Sequence, residues 1–418
     1  MSSDNIFLSI NDCKTMSIDV VYFDFSKAFD SVNHDLMLQK LKQFYGIDGR
    51  LLKFIRNYLS GREQCVIMDS IKSTYKSVTS GVPQGSILGP ILFVLFINDL
   101  PQGINTDTNI SLYADDTKMW RQITSYTDIV KLQKDIDVLH DWSFRNLMKF
   151  HPKKCKLLSI KNKLSPLAML PFVSIYYSLG SNFISYVDVE RDLGVYVSES
   201  FSFNDHCEKL ITKTKQQFGI LRRTCHFVND SRRRRVLYLT LIRSHFEHCS
   251  QIWRPTGKTS LFKFESFQKK CLKWILLEEE LSYHSHATYL RKCQEANILP
   301  MFYKFLLNDL VLFHKVSYEH IPLRMPSYLT FFNGISRLRS CRLDRLCYVS
   351  SVFPKGLSTN NLDKSFFYRT HSLWNNVPLE HREIRSVQEF KGRIIKYLWK
   401  LVSEELKEEL DNSLSCDT

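Results

Sequence analysis

Three aspartates carry the chemistry for which this sequence is best equipped. Asp24 stands near the end of the apolar run Ile18–Phe25, and Asp115 and Asp116 are adjacent between two short alternating segments. A carboxylate at the end of a buried strand is costly to desolvate unless a positive charge holds it. Divalent metal is the usual partner, because hard cations take oxygen ligands and Mg2+ combines a few carboxylates with substrate phosphates. Two such ions stabilise both the attacking and the leaving oxygen of an in-line displacement at phosphorus. Taken alone, two adjacent acids in a turn are more often a surface feature.

The elements that must position these acids can be read from periodicity. Ile18–Phe25 predicts a buried strand. Asn33 is placed to cap a helix through Leu36, Leu38, Leu41 and Phe44, with Gly46 as its stop. The Gly-dense stretch Gly81–Gly89 leads into the apolar segment Ile91–Ile97. Ile110, Leu112 and Ala114 alternate, the acids interrupt, and Met119 and Trp120 resume, which predicts a hairpin with two acids at its turn. Ile129, Leu132, Ile136 and Leu139 fall on one helix face. Strand, helix, hairpin and helix through residue 160 give an α+β or α/β first domain. Beyond about residue 200 the pattern is mostly helical, with Leu210, Thr214, Phe218 and Leu221 on one stripe. Phe390, Ile394, Leu398 and Leu401 predict a C-terminal helix, and Glu404, Glu405, Glu408 and Glu409 a solvated acidic end. There is no low-complexity linker and no internal repeat.

Composition narrows the function. At about 150 residues per domain, 418 residues suggest two or three domains. The 44% hydrophobic and 24% charged residues suffice for a real core, and 14 Gly with 12 Pro exclude a collagen-like or Gly/Pro-rich disordered chain. The longest apolar run is far shorter than the roughly 20 residues a membrane helix needs, and no signal peptide is visible. Eleven Cys, with no CxxC pair, fit reduced thiols in an intracellular protein. The net charge of +14 points to polyanionic partners. Most of it lies between Lys209 and Lys273, where 16 Lys and Arg meet three acids. This stretch holds Arg232, Arg233, Arg234 and Arg235 and is interleaved with Phe218, Phe227, Tyr238, Phe246, Trp253 and Phe264. Cations displace counterions from phosphates and rings stack on bases. Residue by residue, the alternative is a solvated helix face with ordinary core aromatics.

Longer words in the sequence point further. VVYFDFSKAFDSVNHDLMLQKL at 20–41 resembles the first catalytic motif of reverse transcriptases, SGVPQGSILGPILFVLFINDL at 80–100 the second and SLYADDTKMW at 111–120 the third. They occur in the family's order and spacing. WSFRNLMKFHPKKCKLLSI at 142–160 is similar to the fourth. RDLGV at 191–195, LYLTLIRSHFEHCSQIW at 237–253 and SFFYRTHSLWNNVP at 365–378 resemble downstream regions of non-LTR retrotransposon polymerases of the jockey-like and CR1-like kind.

The resemblance implies an α+β fold: a right-hand polymerase palm, with an antiparallel sheet packed on helices, then a mostly helical thumb and C-terminal extension. It divides the chain into a palm at 1–160, a primer-grip and basic helical thumb or connection at 161–280, and a helical C-terminal region at 281–418. It implies RNA-directed DNA synthesis with two Mg2+ ions, Mn2+ being an alternative, held by Asp24, Asp115, Asp116 and the carbonyl of Phe25. Phe29 takes the place of the ring that excludes a ribose 2′-OH. Gln84 and Gly85 take the place of residues at the incoming nucleotide, with Gly81 allowing close backbone approach. Lys154 matches a candidate proton donor to pyrophosphate, although Lys153 and Lys156 are equally near in sequence. Gly194 lies in the turn that grips the primer end, and Arg232 to Arg235 lie in the duplex-holding thumb. RNA template, DNA primer and dNTPs are the implied partners, with no membrane and no stable protein partner. The implied compartment is intracellular, nucleus or cytoplasm. The family's fingers subdomain precedes the palm, and only 17 residues precede Ile18 here. The expectation is therefore an N-terminally truncated form, either a weak polymerase or a catalytically inactive nucleic-acid-binding remnant.

Overall fold

The computed structural model describes residues 15–161, 176–255, 257–278, 285–323, 325–326, 329–332, 348–351 and 365–415. They form two units that divide between Glu190 and Arg191, each with its own core.

The first unit is built on β1 (Ser17–Phe23), whose β-branched and aromatic residues suit a strand covered on both faces. Four other strands complete the sheet: β2 (Asn109–Tyr113), β3 (Asp116–Ile123), β4 (Lys156–Lys161) and β5 (Ser185–Tyr186), in the order β5-β4-β1-β3-β2. Pairing is antiparallel except between β5 and β4. Val21, Phe23, Met119 and Leu157 pack beneath α3 (Leu88–Ile97) and α4 (Tyr126–Arg145), where Phe93, Phe96, Ile136, Leu139 and Trp142 are buried. The predicted helix after Asn33 is α1 (His34–Tyr45). Asn33 Oδ1 accepts from Leu36 N at 3.0 Å, and Gly46 ends the helix at φ +63°. A second helix, α2 (Gly49–Leu59), follows. The predicted hairpin and the helix through Ile129 are β2–β3 and α4.

Two features depart from the sequence reading. The run Ile18–Phe25 is interrupted by the buried Asp19, which accepts from Ser17 Oγ at 3.0 Å, Ser159 Oγ at 2.6 Å and Tyr177 OH at 2.8 Å. Burial raises its pKa, and these donors work against that rise. The unit also runs past residue 160, because Tyr177 reaches back to Asp19 and β5 extends the sheet beside β4.

The second unit begins in a hairpin, β6 (Val189–Asp192) and β7 (Val195–Ser198), and continues mainly as helices. These include α5 (Asn204–Thr224), α6 (Ser231–Tyr238), α7 (Lys258–Ile275), α8 (His286–Glu295), α9 (Met301–Ser317), α10 (Phe366–Asn376) and α11 (Val387–Ser415). Helices on both sides of residue 281 share one core, with Phe264, Phe267, Leu290, Phe313, Trp374 and Phe390 in it. A buried ionic knot ties three segments: Asp309 takes Arg254 at 2.7 Å and Arg369 at 3.0 Å. The acidic end of α11 is more than a solvated face, since Glu405 accepts from Tyr303 OH at 2.7 Å and pairs with His286 Nε2 at 3.0 Å. No helix among the described residues is long and apolar enough to cross a membrane.

One buried ion pair anchors α1 to α3 and α4. Lys40 Nζ donates to Asp99 at 2.7 Å and to the Phe96 carbonyl at 2.9 Å, and Trp142 Nε1 donates to the same carboxylate at 3.1 Å. Burial pulls the Lys40 pKa down and Asp99 opposes the fall. Removing one partner of such a pair leaves an uncompensated charge and costs about 3–5 kcal/mol. Asp99→Ala is expected to lower the unfolding free energy from chemical denaturation by that amount, whereas Lys42→Ala, in an exposed pair with Asp48, leaves it unmoved.

Candidate active site

Strand register brings the acids to one end of the sheet. Phe23 lies opposite Thr117, so Asp24, the next residue, comes level with Asp116 and the turn that precedes it. Tyr113 pairs with Asp116, which closes Ala114 and Asp115 into a two-residue turn. Ala114 holds φ +53°, in the left-handed region that favours glycine, a conformation that stores about 1–3 kcal/mol. Asp24 and Asp115 are half-buried and Asp116 is exposed.

Lys154 is the lysine of its cluster that reaches this end. Its Nζ lies 3.2 and 3.5 Å from the two Asp24 oxygens. The backbone supports that approach, because His151 N donates to Asp24 O at 2.8 Å and Lys154 N to His151 O at 2.9 Å. With side chains 60% and 42% exposed, the pair stabilises the fold by only about 0–1 kcal/mol. Phe25 is buried, stacked on Phe150 with centroids 4.3 Å apart. The bridge between them is closed by Ser26 N to Lys149 O and His151 N to Asp24 O, so the Phe25 carbonyl takes no part in it.

The Gly-rich loop is pinned to the segment after β1 through Asp30. Gln84 Nε2 donates to Asp30 Oδ1 at 2.8 Å, and Ser80 Oγ donates to Asp30 O at 2.8 Å. Gly81 holds φ +88°, and a Cβ there would lie 2.7 Å from Asp30 Cα. Its carbonyl accepts from His34 Nε2 at 2.9 Å and Arg62 Nη2 at 2.8 Å. Gly85 also needs a positive φ, +79°, but faces open space. Phe29 is half-buried and stacked on Phe93 at 4.3 Å, with one ring face in the core. Sequence reading passed over Asp30, His34 and Arg62. Asp30 lies inside the FDFSKAFD word, whereas nothing in the sequence marks Arg62 as a partner of Gly81.

Among the described residues, no three Asp, Glu, His or Cys side chains converge to hold a metal as they stand. The donors at this end of the sheet are nevertheless of the right kind, being carboxylate oxygens, and the Asp24 carboxylate already faces a cation in Lys154. They fit a hard divalent ion once Lys154 moves aside.

In the second unit, Leu193 and Gly194 turn β6 into β7 with φ +46° and +91°, the two positive angles of a type I′ turn. His248 Nε2 lies 3.2 Å from the Leu193 carbonyl. The arginine run is split. Arg232 and Arg233 face outward. Arg234 is buried, donates to the Val228 and Trp274 carbonyls and lies over the Trp274 ring, while Arg235 donates to Asn297 O at 3.0 Å. The interleaved aromatics are mostly core: Phe218, Tyr238, Phe246, Trp253 and Phe264 are buried, and of the six only Phe227 is exposed. Their spacing is that of the apolar stripes on which these helices pack, so those five rings are not available for stacking on bases.

The sequence profile described as "Reverse transcriptase (RNA-dependent DNA polymerase)" matches residues 8–218. The chain belongs to the reverse transcriptase family. Its relatives place it with the non-LTR, LINE-type retrotransposon enzymes. It is 27% identical over 267 residues to the RNA-directed DNA polymerase from mobile element jockey of Drosophila funebris, covering 61% of this chain and 28% of that protein. The Drosophila melanogaster jockey polymerase is 28% identical over 204 residues, 47% of this chain and 21% of that one. The probable RNA-directed DNA polymerase from transposon BS of Drosophila melanogaster is 24% identical, covering 62% of this chain and 29% of that one. The matched part thus spans less than a third of each of these relatives. Among solved structures, apo telomerase from Candida tropicalis aligns over 75% of this chain and 52% of that one at 11% identity. Its TM-score of 0.36 is too low to carry an argument.

The two loop glycines should respond differently to a methyl group. Gly85→Ala adds only the left-handed strain, about 1–2 kcal/mol. Gly81→Ala adds overlap with the Asp30 backbone, a further 1–3 kcal/mol or so. Denaturation of the two variants is expected to rank Gly81→Ala clearly below Gly85→Ala.

Proposed function

We propose that this chain supplies the palm and the helical region that follows it in an RNA-directed DNA polymerase, joining a dNTP to a primer 3′-OH on an RNA template. The observation that carries this reading is the β1–β3 register, which sets Asp24 level with the Asp115-Asp116 turn, with Gln84 bonded to Asp30 in the segment that follows Asp24. In this reading Asp24, Asp115, Asp116 and the Phe25 carbonyl would hold two Mg2+ ions, with Mn2+ as a substitute. Bound there, the ions would neutralise charge on the attacking and leaving oxygens.

The protein groups position and exclude. Asp30 fixes the Gln84 amide toward the nucleotide and template. Open space around Gly85 leaves room for a substrate to approach the backbone. Phe29, held from behind by Phe93, presents its outer edge to the sugar and rejects a 2′-OH by clash. Lys154, released from Asp24, donates a proton to the departing pyrophosphate. The Leu193-Gly194 turn meets the primer end. Arg232 and Arg233, rather than the whole run, contact duplex phosphates. The chain acts inside the cell, in nucleus or cytoplasm, with template, primer and dNTPs as its partners.

Asp115→Asn removes a ligand charge with almost no change of volume. It is expected to abolish Mg2+-dependent incorporation on a primed RNA while the circular dichroism spectrum stays unchanged; undiminished synthesis would sink the assignment. Phe29→Val should raise the ratio of rNTP to dNTP incorporation, since it opens space beside the sugar. An unchanged ratio would return Phe29 to a purely packing role.

A further inference from the structure

Helix α2 carries features that the catalytic reading does not use. Between Gly49 and Gly61 lie Arg50, Lys53 and Arg56 and no acid, and all three cations are exposed. Helical spacing sets Arg50, Lys53 and Asn57 along the ridge opposite the buried Ile55 and Leu59, with Phe54 beside them. Phe54 is 56% exposed and stacks on Tyr58, the ring centroids 6.5 Å apart and 18° from parallel. Tyr58 OH donates to Ser86 Oγ at 2.7 Å. Ser86 in turn donates to Pro83 O at 2.7 Å and accepts from Gly89 N at 3.0 Å. The ring pair is therefore bonded directly to the loop that carries Gln84. Ile87, the next residue, is 86% exposed.

We propose that this face of α2 is a platform for single-stranded nucleic acid, the template strand next to the site, with phosphates along Arg50 and Lys53 and a base on Phe54. Charge complementarity selects the occupant: an acid-free cationic ridge beside an exposed ring is what a strand offering phosphates and flat bases requires. A polypeptide would use the exposed ring and leave the cations without partners. The proposal rests on the nucleic-acid reading of the function and adds a surface to it.

The test is fluorescence anisotropy of the full chain with a labelled single-stranded RNA across a KCl series. The double variant Arg50→Gln, Lys53→Gln is expected to flatten the log-affinity against log-salt slope by about 1.4, at roughly 0.7 per lost contact. Phe54→Ala should weaken binding about five- to hundredfold with the slope unchanged. Because all three side chains are exposed, circular dichroism should show the fold intact. If both variants match the wild type while Arg232→Gln with Arg233→Gln binds more weakly, the α2 surface is refuted and the functional reading stands. If the wild type itself fails to bind RNA, both fall. If Phe54→Ala leaves RNA affinity alone but abolishes self-association in sedimentation, the face takes protein and the inference is overturned.

Discussion

The alignment of β1 against β3 is the constraint on which the site depends. Side chains alternate along a strand, so a slip of one residue would turn Val21 and Phe23 out of the core and shift Asp24 away from the Ala114–Asp115 turn. Apolar packing resists that slip. On its other side β1 is pinned by Asp19, whose carboxylate accepts from Ser159, directly opposite it on β4, as well as from Tyr177 and from Ser17 of its own strand. A slip of one residue against β4 would cost the buried carboxylate its Ser159 donor. A polar residue in an otherwise apolar strand thus sets β1 against β4, while apolar packing sets it against β3, where the acids meet.

Around that frame the loops are held more rigidly than their sequences alone require. Ala114 keeps a strained backbone angle because hairpin pairing on both sides leaves it no alternative. The Gly81 loop is gripped from both sides, by Asp30 across its backbone and by His34 and Arg62 on its carbonyl. Such pre-organisation suits the positioning role proposed for these residues. Lys154 differs: mostly solvated and weakly paired, it is the group here that can change partner at little energetic cost.

Much of this was legible in the amino-acid sequence, for physical reasons. Helix boundaries followed from Asn33 and Gly46, because caps and left-handed stops are local signals. The hairpin acids were visible because period-two alternation brackets them. What could not be read was the destination of groups whose partners are distant in sequence. Arg234 and Arg235 look identical to Arg232 and Arg233 until Trp274 and Asn297 are brought to them. The buried rings of α5 and α7 have a spacing that suits a core and a base-stacking surface equally. Lys40 and Asp99, 59 residues apart, gave no hint of a buried pair. The assignment of Lys154 over its neighbours likewise needed the fold, since three lysines within four residues are equivalent on paper.

The knot of Arg254, Asp309 and Arg369 has a consequence for the order in which the protein is made. A chain emerging from the ribosome completes its first unit by Glu190, and the contacts of that unit's own core need nothing that follows. The second unit has no such early closure. When Asp309 emerges it finds Arg254 but not Arg369, 60 residues further on, which contributes bonds to both carboxylate oxygens and one to the Gln251 carbonyl. Until then a carboxylate destined for complete burial has only one of its two cations. Synthesis thus separates a unit that can close on its own residues from one whose ionic knot closes only when Arg369 arrives.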